Sequence, residues 1–396
     1  QQLRVTGWGM WRRLDALGAF QNIELERSGF GFRSEYLGGT QIGDIGFEWA
    51  AGLDIASQND DRMEFGQVAP VISGGDATNG SLNVDQTEDV LSAGPFAQVG
   101  IAPNDVVQFT AGVRWDYYDF SAGDRKLDDG DQSGDRTMDQ ISPSVGVTVA
   151  AAPNVNLFAN YATAYETPTT VELSNTETGA GGFNQELEPQ DLNSVEVGVR
   201  GLVEPARLRY EATVFVSTVD NALVSFQNPL SQDFFRNAGK ASRDGFELAF
   251  DFVPIPSFST RFAYTYQDFV FEEFNTGSSD FSGKDEPGAP PHRFYGGVTY
   301  IAPFGLRSGA TVRWVDEFTL NNANTVFNWA YTVVDLRFGF DTTLGDTNIR
   351  PFIGIDNVFD ERYNSSGITN AFGGRYFEPS PGREVYVGFT VGAGIR

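Results

Sequence analysis

The sequence predicts an all-β protein, a transmembrane antiparallel β-barrel. Three observations lead to this prediction: apolar and polar residues alternate with a period of two, short and long connections alternate strictly, and no segment has a convincing helical period. Such alternation places one face of a strand against an apolar medium and the other against polar groups or water. Outer-membrane barrels join their strands by short periplasmic turns and long extracellular loops, whereas soluble sandwiches and propellers have no reason to do so.

The alternating segments define the strands. Between 207 and 218, Leu208 and Val214 alternate with Arg209 and Glu211. The segments are as long as, or longer than, the roughly 9–11 residues with which a tilted strand crosses a bilayer. We expect sixteen strand cores, at 2–12, 23–36, 44–57, 88–101, 105–118, 140–151, 154–166, 192–202, 206–219, 241–253, 257–269, 291–302, 305–317, 330–342, 347–358 and 383–393.

Each strand core should present one face to lipid and the other to the lumen. The side chains expected to face lipid are Val107, Phe109, Val214, Phe262, Leu336 and Phe338. The side chains expected to face the lumen are Arg114, Arg209, Arg261 and Arg337. Further arginines on polar positions are Arg200, Arg207 and Arg313; the lumen arginines either hold an anionic chelate or pair with lumen carboxylates, and we favour the pairing.

The connections also define the orientation of the strands. Short turns fall near 102–105, 152–154, 203–206, 254–257, 302–305 and 343–347. Long polar segments lie between them, at 57–89, 119–139, 167–189, 220–240, 270–290, 318–329 and 361–381. Antiparallel strands in sequence order would place all long connections on one rim.

Composition excludes several classes of function. The net charge is 27 − 53 = −26, which argues against a nucleic-acid partner because phosphate binding needs a basic face. The absence of cysteine excludes disulfides, thiolate zinc sites and thiol nucleophiles, and a single histidine, His292, excludes a two-histidine metal site. No G-x-S-x-G motif surrounds any serine, so we expect no catalytic residues and no enzyme activity.

One acidic loop is a candidate for metal binding. Residues 124–135 contain a carboxylate density typical of calcium ligands, contributed by Asp128, Asp129, Asp131 and Asp135. The loop lacks the spacing of an EF-hand and its final Glu. We therefore favour a solvated loop over a calcium site, and we expect no resident cofactor.

His292, at the start of a strand, is interpreted as structural rather than as a ligand contact or pH switch.

Six phrases follow one another in the second half of the chain, between residues 140 and 396. They are Ile141–Gly146, Leu157–Thr169, Leu187–Gln190 followed by Ser194–Gly198, Asn237–Gly239 with Gly245–Glu247, Asn357–Tyr363, and Gly374–Arg383. In wording and order they resemble phrases of TonB-dependent outer-membrane receptors of the siderophore or ferric-chelate type.

The resemblance implies a function and a set of partners. It implies active, TonB-dependent transport of a ferric siderophore, or of a similar metal chelate or vitamin, across the bacterial outer membrane. It implies contact with outer-membrane lipid and lipopolysaccharide, with TonB through a plug domain, and with a small-molecule ligand whose binding residues the sequence does not identify.

The chain also departs from this family. We interpret residues 1–396 as one barrel domain, without a plug domain or a TonB box. A plugged barrel of about 22 strands at roughly 25 residues per strand needs about 550 residues. Two interpretations therefore stay open: the chain is the C-terminal part of a 22-stranded barrel, which we favour, or it is a complete sixteen-stranded passive porin.

Overall fold

The computed structural model describes residues 1–17, 21–67, 79–174, 176–177, 182–227, 233–237, 239–276, 279–345 and 347–393. Its one α-helix in these ranges, α1, is the single turn Thr170–Leu173, and short 3-10 turns lie at Leu127–Asp129, Glu204–Ala206 and Phe372–Gly374. No helix among the described residues is long and apolar enough to cross a membrane.

The described residues are dominated by β-strands. In chain order these are β1 (Gln2–Leu17), β2 (Gln21–Ile42), β3 (Ile45–Gln67), β4 (Asn79–Ala102), β5 (Val107–Asp124), β6 (Gly134–Ala152), β7 (Val155–Glu166), β8 (Gln190–Val203), β9 (Leu208–Asp220), β10 (Leu223–Gln227), β11 (Asp233–Asn237), β12 (Lys240–Ile255), β13 (Phe258–Glu273), β14 (His292–Ile301), β15 (Leu306–Val315), β16 (Phe318–Thr319), β17 (Phe327–Asn328), β18 (Tyr331–Phe340), β19 (Thr342–Leu344), β20 (Thr347–Asp356), β21 (Asn364–Gly367), β22 (Phe377–Pro379) and β23 (Glu384–Ala393).

Seventeen of these strands belong to one antiparallel sheet, in which strands that follow one another in the sequence pair. The exceptions are β18 and β19, which follow one another along the same edge and both pair with β20. Three small hairpins outside the sheet are inserted in long connections, formed by β10 with β11, β16 with β17, and β21 with β22. Every predicted strand core corresponds to a strand of the sheet, and the core predicted at 330–342 is divided between β18 and β19. The all-β prediction and the antiparallel order are therefore confirmed.

By the density of its internal contacts the chain divides into two compact units, which we describe separately. Unit 1 comprises Gln1–Val147, Tyr161–Asn193 and Val219–Ala238, and unit 2 comprises Thr148–Asn160, Ser194–Thr218 and Gly239–Arg396. Within each unit the antiparallel order puts the short turns at one end of the strands and the long connections at the other. That residues 1–396 form a single barrel domain remains a prediction.

The strands of unit 1 are longer than the sequence predicts. Three neighbouring strands, β2, β3 and β4, have 22, 23 and 24 residues. Their ladder continues through pairs such as Asn59 with Asp89 and Asp61 with Thr87, in the segment interpreted as a loop. The prediction of a loop over the whole of 57–89 is wrong because both faces of these strands become polar there. A ladder with two solvated faces has no hydrophobic alternation to detect.

The two faces of the sheet differ in the way that the alternation predicts. In unit 2, Asp251 stands opposite Arg261 on what we call the polar face, and Phe250 stands opposite Phe262 on the apolar face. Apolar-face side chains are exposed despite their chemistry: Phe338 is 40 % exposed. In unit 1, Phe109 belongs to the apolar face and Arg114, five positions along the strand, to the polar face.

Candidate functional site

A ladder of alternating charges crosses the polar face of unit 1. Glu35 on β2 accepts hydrogen bonds from Arg4 on β1 and from Arg33, both at 2.9 Å. Asp54 on β3 accepts from Arg114 on β5 at 2.7 Å and lies 3.7 Å from Arg33. Arg114 also forms an ion pair with Asp116 at 2.7 Å. We call these six side chains the charge ladder; in order they are Arg4, Glu35, Arg33, Asp54, Arg114 and Asp116.

This ladder neutralises three arginines of the polar face. Arg4, Arg33 and Arg114 meet three carboxylates, and the six side chains come from β1, β2, β3 and β5, so these three arginines do not form a row of free positive charge. Unit 2 repeats the arrangement where Arg261 binds Asp251 at 2.6 Å and Arg313 lies 3.3 Å from Asp335. The favoured interpretation, that lumen arginines pair with carboxylates, is confirmed for these residues. Arg337 instead lies over an aromatic ring, 4.4 Å from the centroid of Phe352.

We expect Asp54→Asn to lower the free energy of unfolding by about 1 kcal/mol, because it removes the charge shared by Arg33 and Arg114 and leaves those side chains partly exposed to water. Urea unfolding of the membrane-inserted protein, followed by gel mobility, measures the change. Glu48→Gln is the matched control, since Glu48 is on the same strand and face and has no cationic partner within 4 Å among the described residues. Equal losses for both variants would contradict the ladder.

A buried carboxylate anchors a long connection onto the polar face of unit 1. Glu88 on β4 is 2 % exposed. It accepts a hydrogen bond at 2.5 Å from Thr170, the first residue of α1, and another at 2.7 Å from Gln86. Arg62 lies 4.0 Å away. Because burying a carboxylate is costly unless it is hydrogen-bonded or paired, these partners hold α1 at a defined place on the sheet.

Residues 167–189, which we call the inner segment, pack on the polar face through an apolar core. Leu173 and Leu187 are 0 % and 1 % exposed, and they meet Phe120 and Met138 from β5 and β6. Each such burial contributes about 1.5–3 kcal/mol relative to exposure. Phe183 packs so close to the start of β6 that a Cβ on Gly134 would lie 2.8 Å from its backbone nitrogen. The inner segment is therefore a packed element of unit 1.

The hairpin of β10 and β11 holds the inner segment from a second side. Asn184 donates a hydrogen bond at 3.0 Å to the carbonyl oxygen of Phe235. Asn237 and Glu188 exchange two hydrogen bonds, both 2.7 Å long, between the amide side chain and the Glu188 backbone. Arg136 on β6 donates at 2.9 Å to the carbonyl oxygen of Leu187. The described part of the inner segment is thus fixed at both of its ends.

In unit 2 the polar face contains a cavity of about 740 Å³. That volume lies within the range of small-molecule sites. The charged side chains that line it have both signs, with three carboxylates and two guanidinium groups, and two tyrosines add phenolic hydroxyl groups. The lining residues of these types are Asp251, Arg261, Tyr295, Asp335, Arg337, Asp356 and Tyr386. The mixed lining suits a polar protein surface or water as well as a ligand, so the cavity alone does not define a ligand's chemistry.

Asparagine side chains join the long connections of unit 2 into one block. Asn324 and Asp285 exchange two hydrogen bonds of 2.9 Å between side chain and backbone. Asn322 binds Asn370 through its backbone nitrogen at 3.0 Å. A third contact joins the amide of Asn364 to the amide oxygen of Asn328 at 3.0 Å. The connections after β13, β15 and β20 are therefore cross-linked by polar contacts.

The structure places the acidic candidates beside a lysine. Lys126 Nζ lies 2.7 Å from carboxylate oxygens of both Asp128 and Asp129. Hydrogen bonding to Lys126 lowers the pKa of Asp128, and hydrogen bonds from Ser133 lower the pKa of Asp131. Asp135 takes part through its backbone carbonyl oxygen, which accepts from Gln185 at 3.1 Å. Among the described residues no group of three or more His, Asp or Glu side chains is placed to hold a metal ion. That this loop is solvated rather than a calcium site stays a prediction.

His292 is the first residue of β14, as expected for a residue at a strand start. Its Nδ1 is 2.7 Å from the hydroxyl oxygen of Tyr264 on the neighbouring strand. The rings of Tyr266 and Trp314 flank it, with centroids 5.1 and 6.2 Å away. All of these belong to the apolar face, so His292 is part of an aromatic group and does not line the polar face.

Sequence reasoning missed the anchor of the inner segment. Thr169 and Glu172 form a reciprocal capping box at the start of α1, and the pattern Thr-x-x-Glu is a known signal for a helix start. That signal was available in the sequence. The contact between Thr170 and Glu88 joins residues 82 positions apart, and no local sequence pattern predicts it.

The model of one protein family matches residues 4–358, and its description is TonB dependent receptor-like, beta-barrel. The chain belongs to this family. Members of the TonB-dependent receptor family are outer-membrane β-barrel proteins that take small-molecule ligands and act with TonB, and they are transport receptors rather than enzymes. The resemblance in the second half of the chain is therefore confirmed, and the match extends it into the N-terminal strand β1.

Several characterised receptors are similar to this chain. The metal-pseudopaline receptor CntO of Pseudomonas aeruginosa is 26% identical over 275 residues, which cover 66% of this chain and 36% of the relative. The ferrioxamine B receptor of Salmonella typhimurium is 26% identical over 261 residues, covering 65% of this chain and 35% of the relative. In these comparisons the matched part of the chain therefore spans about a third of the curated relatives' length.

Solved structures show the same fold. The ferric citrate transporter FecA in its unliganded form superposes with a TM-score of 0.78 at 16% identity, covering 98% of this chain and 58% of that one. The siderophore receptor PiuA from Acinetobacter baumannii gives a TM-score of 0.77 at 17% identity, covering 97% and 57%. The fold of this TonB-dependent receptor family member is thus that of the receptors' β-barrel.

Proposed function

We propose that the chain takes part in TonB-dependent uptake of a ferric siderophore, or of a similar metal chelate, across a bacterial outer membrane. The observation that carries the proposal is the family match over residues 4–358. The relatives support the substrate class, since they are named as receptors for metal-pseudopaline, ferrioxamine B and catecholate siderophores. A vitamin-like compound is the remaining alternative within the same mechanism.

The two faces of the sheet would have separate roles in this function. The apolar face would contact membrane lipid, with lipopolysaccharide in the outer leaflet, and the polar face would surround a plug domain that TonB contacts. The neutralised ladder of unit 1 suits such a plug, because it offers hydrogen-bonding groups without a net charge. The long connections, including the inner segment and the asparagine-linked block, would lie on the side from which ligand arrives. We expect this chain to be part of a 22-stranded barrel.

We expect cells that rely on the gene encoding this chain for iron to take up one class of ferric chelate only when TonB and the proton-motive force are present. Uptake of radioactive iron from ferric hydroxamate, catecholate and citrate complexes, with and without TonB, measures this. Uptake that persists without TonB and rises linearly with concentration would contradict the proposal and would indicate the passive sixteen-stranded porin.

A further inference from the structure

Two tryptophans of unit 1 combine an exposed apolar ring with a hydrogen-bonded N–H group. Trp11 on β1 and Trp115 on β5 lie on the apolar face and are 66% and 42% exposed. Trp11 Nε1 donates to Glu26 at 3.0 Å, and Trp115 Nε1 donates to Asp139 at 3.0 Å. In each pair the ring lies on the apolar face while its polar edge is tied to a carboxylate. This combination is typical of aromatic residues at a membrane–water interface.

The apolar face changes character at the same level. On β3 the residues of this face from Phe47 to Ile55 carry no charge. Beyond Ser57 the same face becomes polar, with Asn59 bound to a carboxylate at 2.8 Å and Asp61 bound to Arg125 at 2.5 Å. A hydrocarbon environment excludes the second set of side chains and accepts the first.

The positions of the two tryptophans also agree with the tilt of membrane strands. Following the paired residues across the sheet from Trp11 leads to Ser121 on β5, four strand spacings away. Trp115 is displaced from it by 121 − 115 = 6 residues towards the short-turn end. Six residues at roughly 3.3 Å over four strand spacings of roughly 4.8 Å define a line from Trp11 to Trp115 that is inclined by about 45° to the direction of the hydrogen bonds between strands. Strands of outer-membrane barrels tilt by about 35–45°.

From these observations we propose that the outer boundary of the membrane hydrocarbon crosses unit 1 along the line from Trp11 to Trp115. The partner of the apolar face on the short-turn side of this line is the acyl-chain layer. On β3 the line passes between Ile55 and Ser57. The strand continues to Gln67, 67 − 57 = 10 residues further. At roughly 3.3 Å per residue and about 45° tilt, the strand extends about 23 Å beyond the membrane.

An independent group in unit 2 has the same chemistry. The rings of Tyr264, Tyr266, His292 and Trp314 cluster on the apolar face. Directly beyond them towards the long connections, Asp244 stands opposite Asp268 on that face. Two facing carboxylates do not belong in hydrocarbon, so the boundary in unit 2 lies at the aromatic group. His292 is then an interfacial side chain with its polar ring nitrogens at the headgroup level.

Depth-dependent quenching of tryptophan fluorescence tests the proposal, which rests on the proposed membrane location. Variants of the membrane-inserted protein that keep one tryptophan, with phenylalanine at the other positions, are placed in phosphatidylcholine vesicles brominated at different acyl depths. We expect Trp11 and Trp115 to be quenched several-fold more by bromines near the headgroup than by bromines near the bilayer centre. Trp8 is the matched control: it lies three residues from Trp11 on the polar face and should escape lipid bromine.

A second measurement covers variants that fold poorly. Because the chain has no cysteine, a single introduced thiol is unambiguous. Asp61→Cys should react with a membrane-impermeant maleimide on intact cells, and Ile55→Cys, on the same strand and face, should not. Equal labelling of the two, strongest quenching by deep bromines, or equal lipid quenching of Trp8 and Trp11 would overturn the boundary. Those results would leave TonB-dependent uptake untouched, since that is measured separately by iron transport.

Discussion

Replacing Leu336 by arginine should lower the free energy of unfolding by about 2–4 kcal/mol, the cost of an arginine on the lipid face near the membrane midplane. Leu336 lies midway along β18, on the apolar face, opposite Ala310 on one neighbour and Ile355 on the other. An arginine there would place its guanidinium group in hydrocarbon without a partner. Urea unfolding of the protein in phosphatidylcholine vesicles measures the loss.

The control for this substitution is Thr311→Arg. Thr311 is on the adjacent strand but on the polar face, directly opposite Asp335, to which its hydroxyl donates a hydrogen bond at 3.2 Å. An arginine at this position meets a carboxylate and water, and we expect a change within about 0.5 kcal/mol. A loss as large at Thr311 as at Leu336 would mean that the assignment of the two faces is wrong.

Truncating Leu173 to alanine should release the inner segment from the polar face. A buried Leu→Ala substitution costs about 2–5 kcal/mol, and Leu173 is 0 % exposed within the apolar core of this segment. We expect the loss as a local opening rather than as unfolding of the sheet. Hydrogen exchange should accelerate at two amides, that of Leu173, which is bound to Thr169, and that of Asn184, which is bound to the Leu173 carbonyl oxygen.

Val171→Ala is the control within the same helical turn. Val171 is 45% exposed, so its truncation removes little buried surface and should leave exchange at both amides nearly unchanged. If Leu173→Ala also left these amides protected, the apolar core would not be what holds the segment. The hydrogen bond between Thr170 and Glu88 would then be the principal anchor.

The parts of the fold that sequence reasoning predicted are those where one face of a strand meets an apolar medium. Alternation located every strand of the sheet, and the polar positions occupied by Arg261 and Arg313 are paired with carboxylates as favoured. Where both faces are polar, alternation disappears. The part of β3 after Ser57 and the part of β4 before Asp89 were therefore interpreted as a loop. Hydrogen bonding between backbones forms these extensions without any signal in side-chain chemistry.

The candidate site was less predictable because its contacts join distant parts of the chain. Whether Asp54 pairs with Arg33 or Arg114 depends on strand register, which alternation does not determine uniquely for charged positions. The acidic loop was detected by composition, but the role of Lys126 as the partner of two of its carboxylates depends on the turn at Leu127–Asp129.

The anchor between Thr170 and Glu88 has a consequence for the order in which the protein assembles. The two residues are 82 positions apart, and the surface that receives Leu173 is built from β5 and β6. Contacts across long stretches of chain form slowly, because the entropy of loop closure is lost before the contact is gained. The inner segment has its complete docking surface only when β4, β5 and β6 have paired. We therefore expect its docking to be a late step of folding, preceded during biogenesis by an intermediate in which these strands are paired and the inner segment is not yet bound to them.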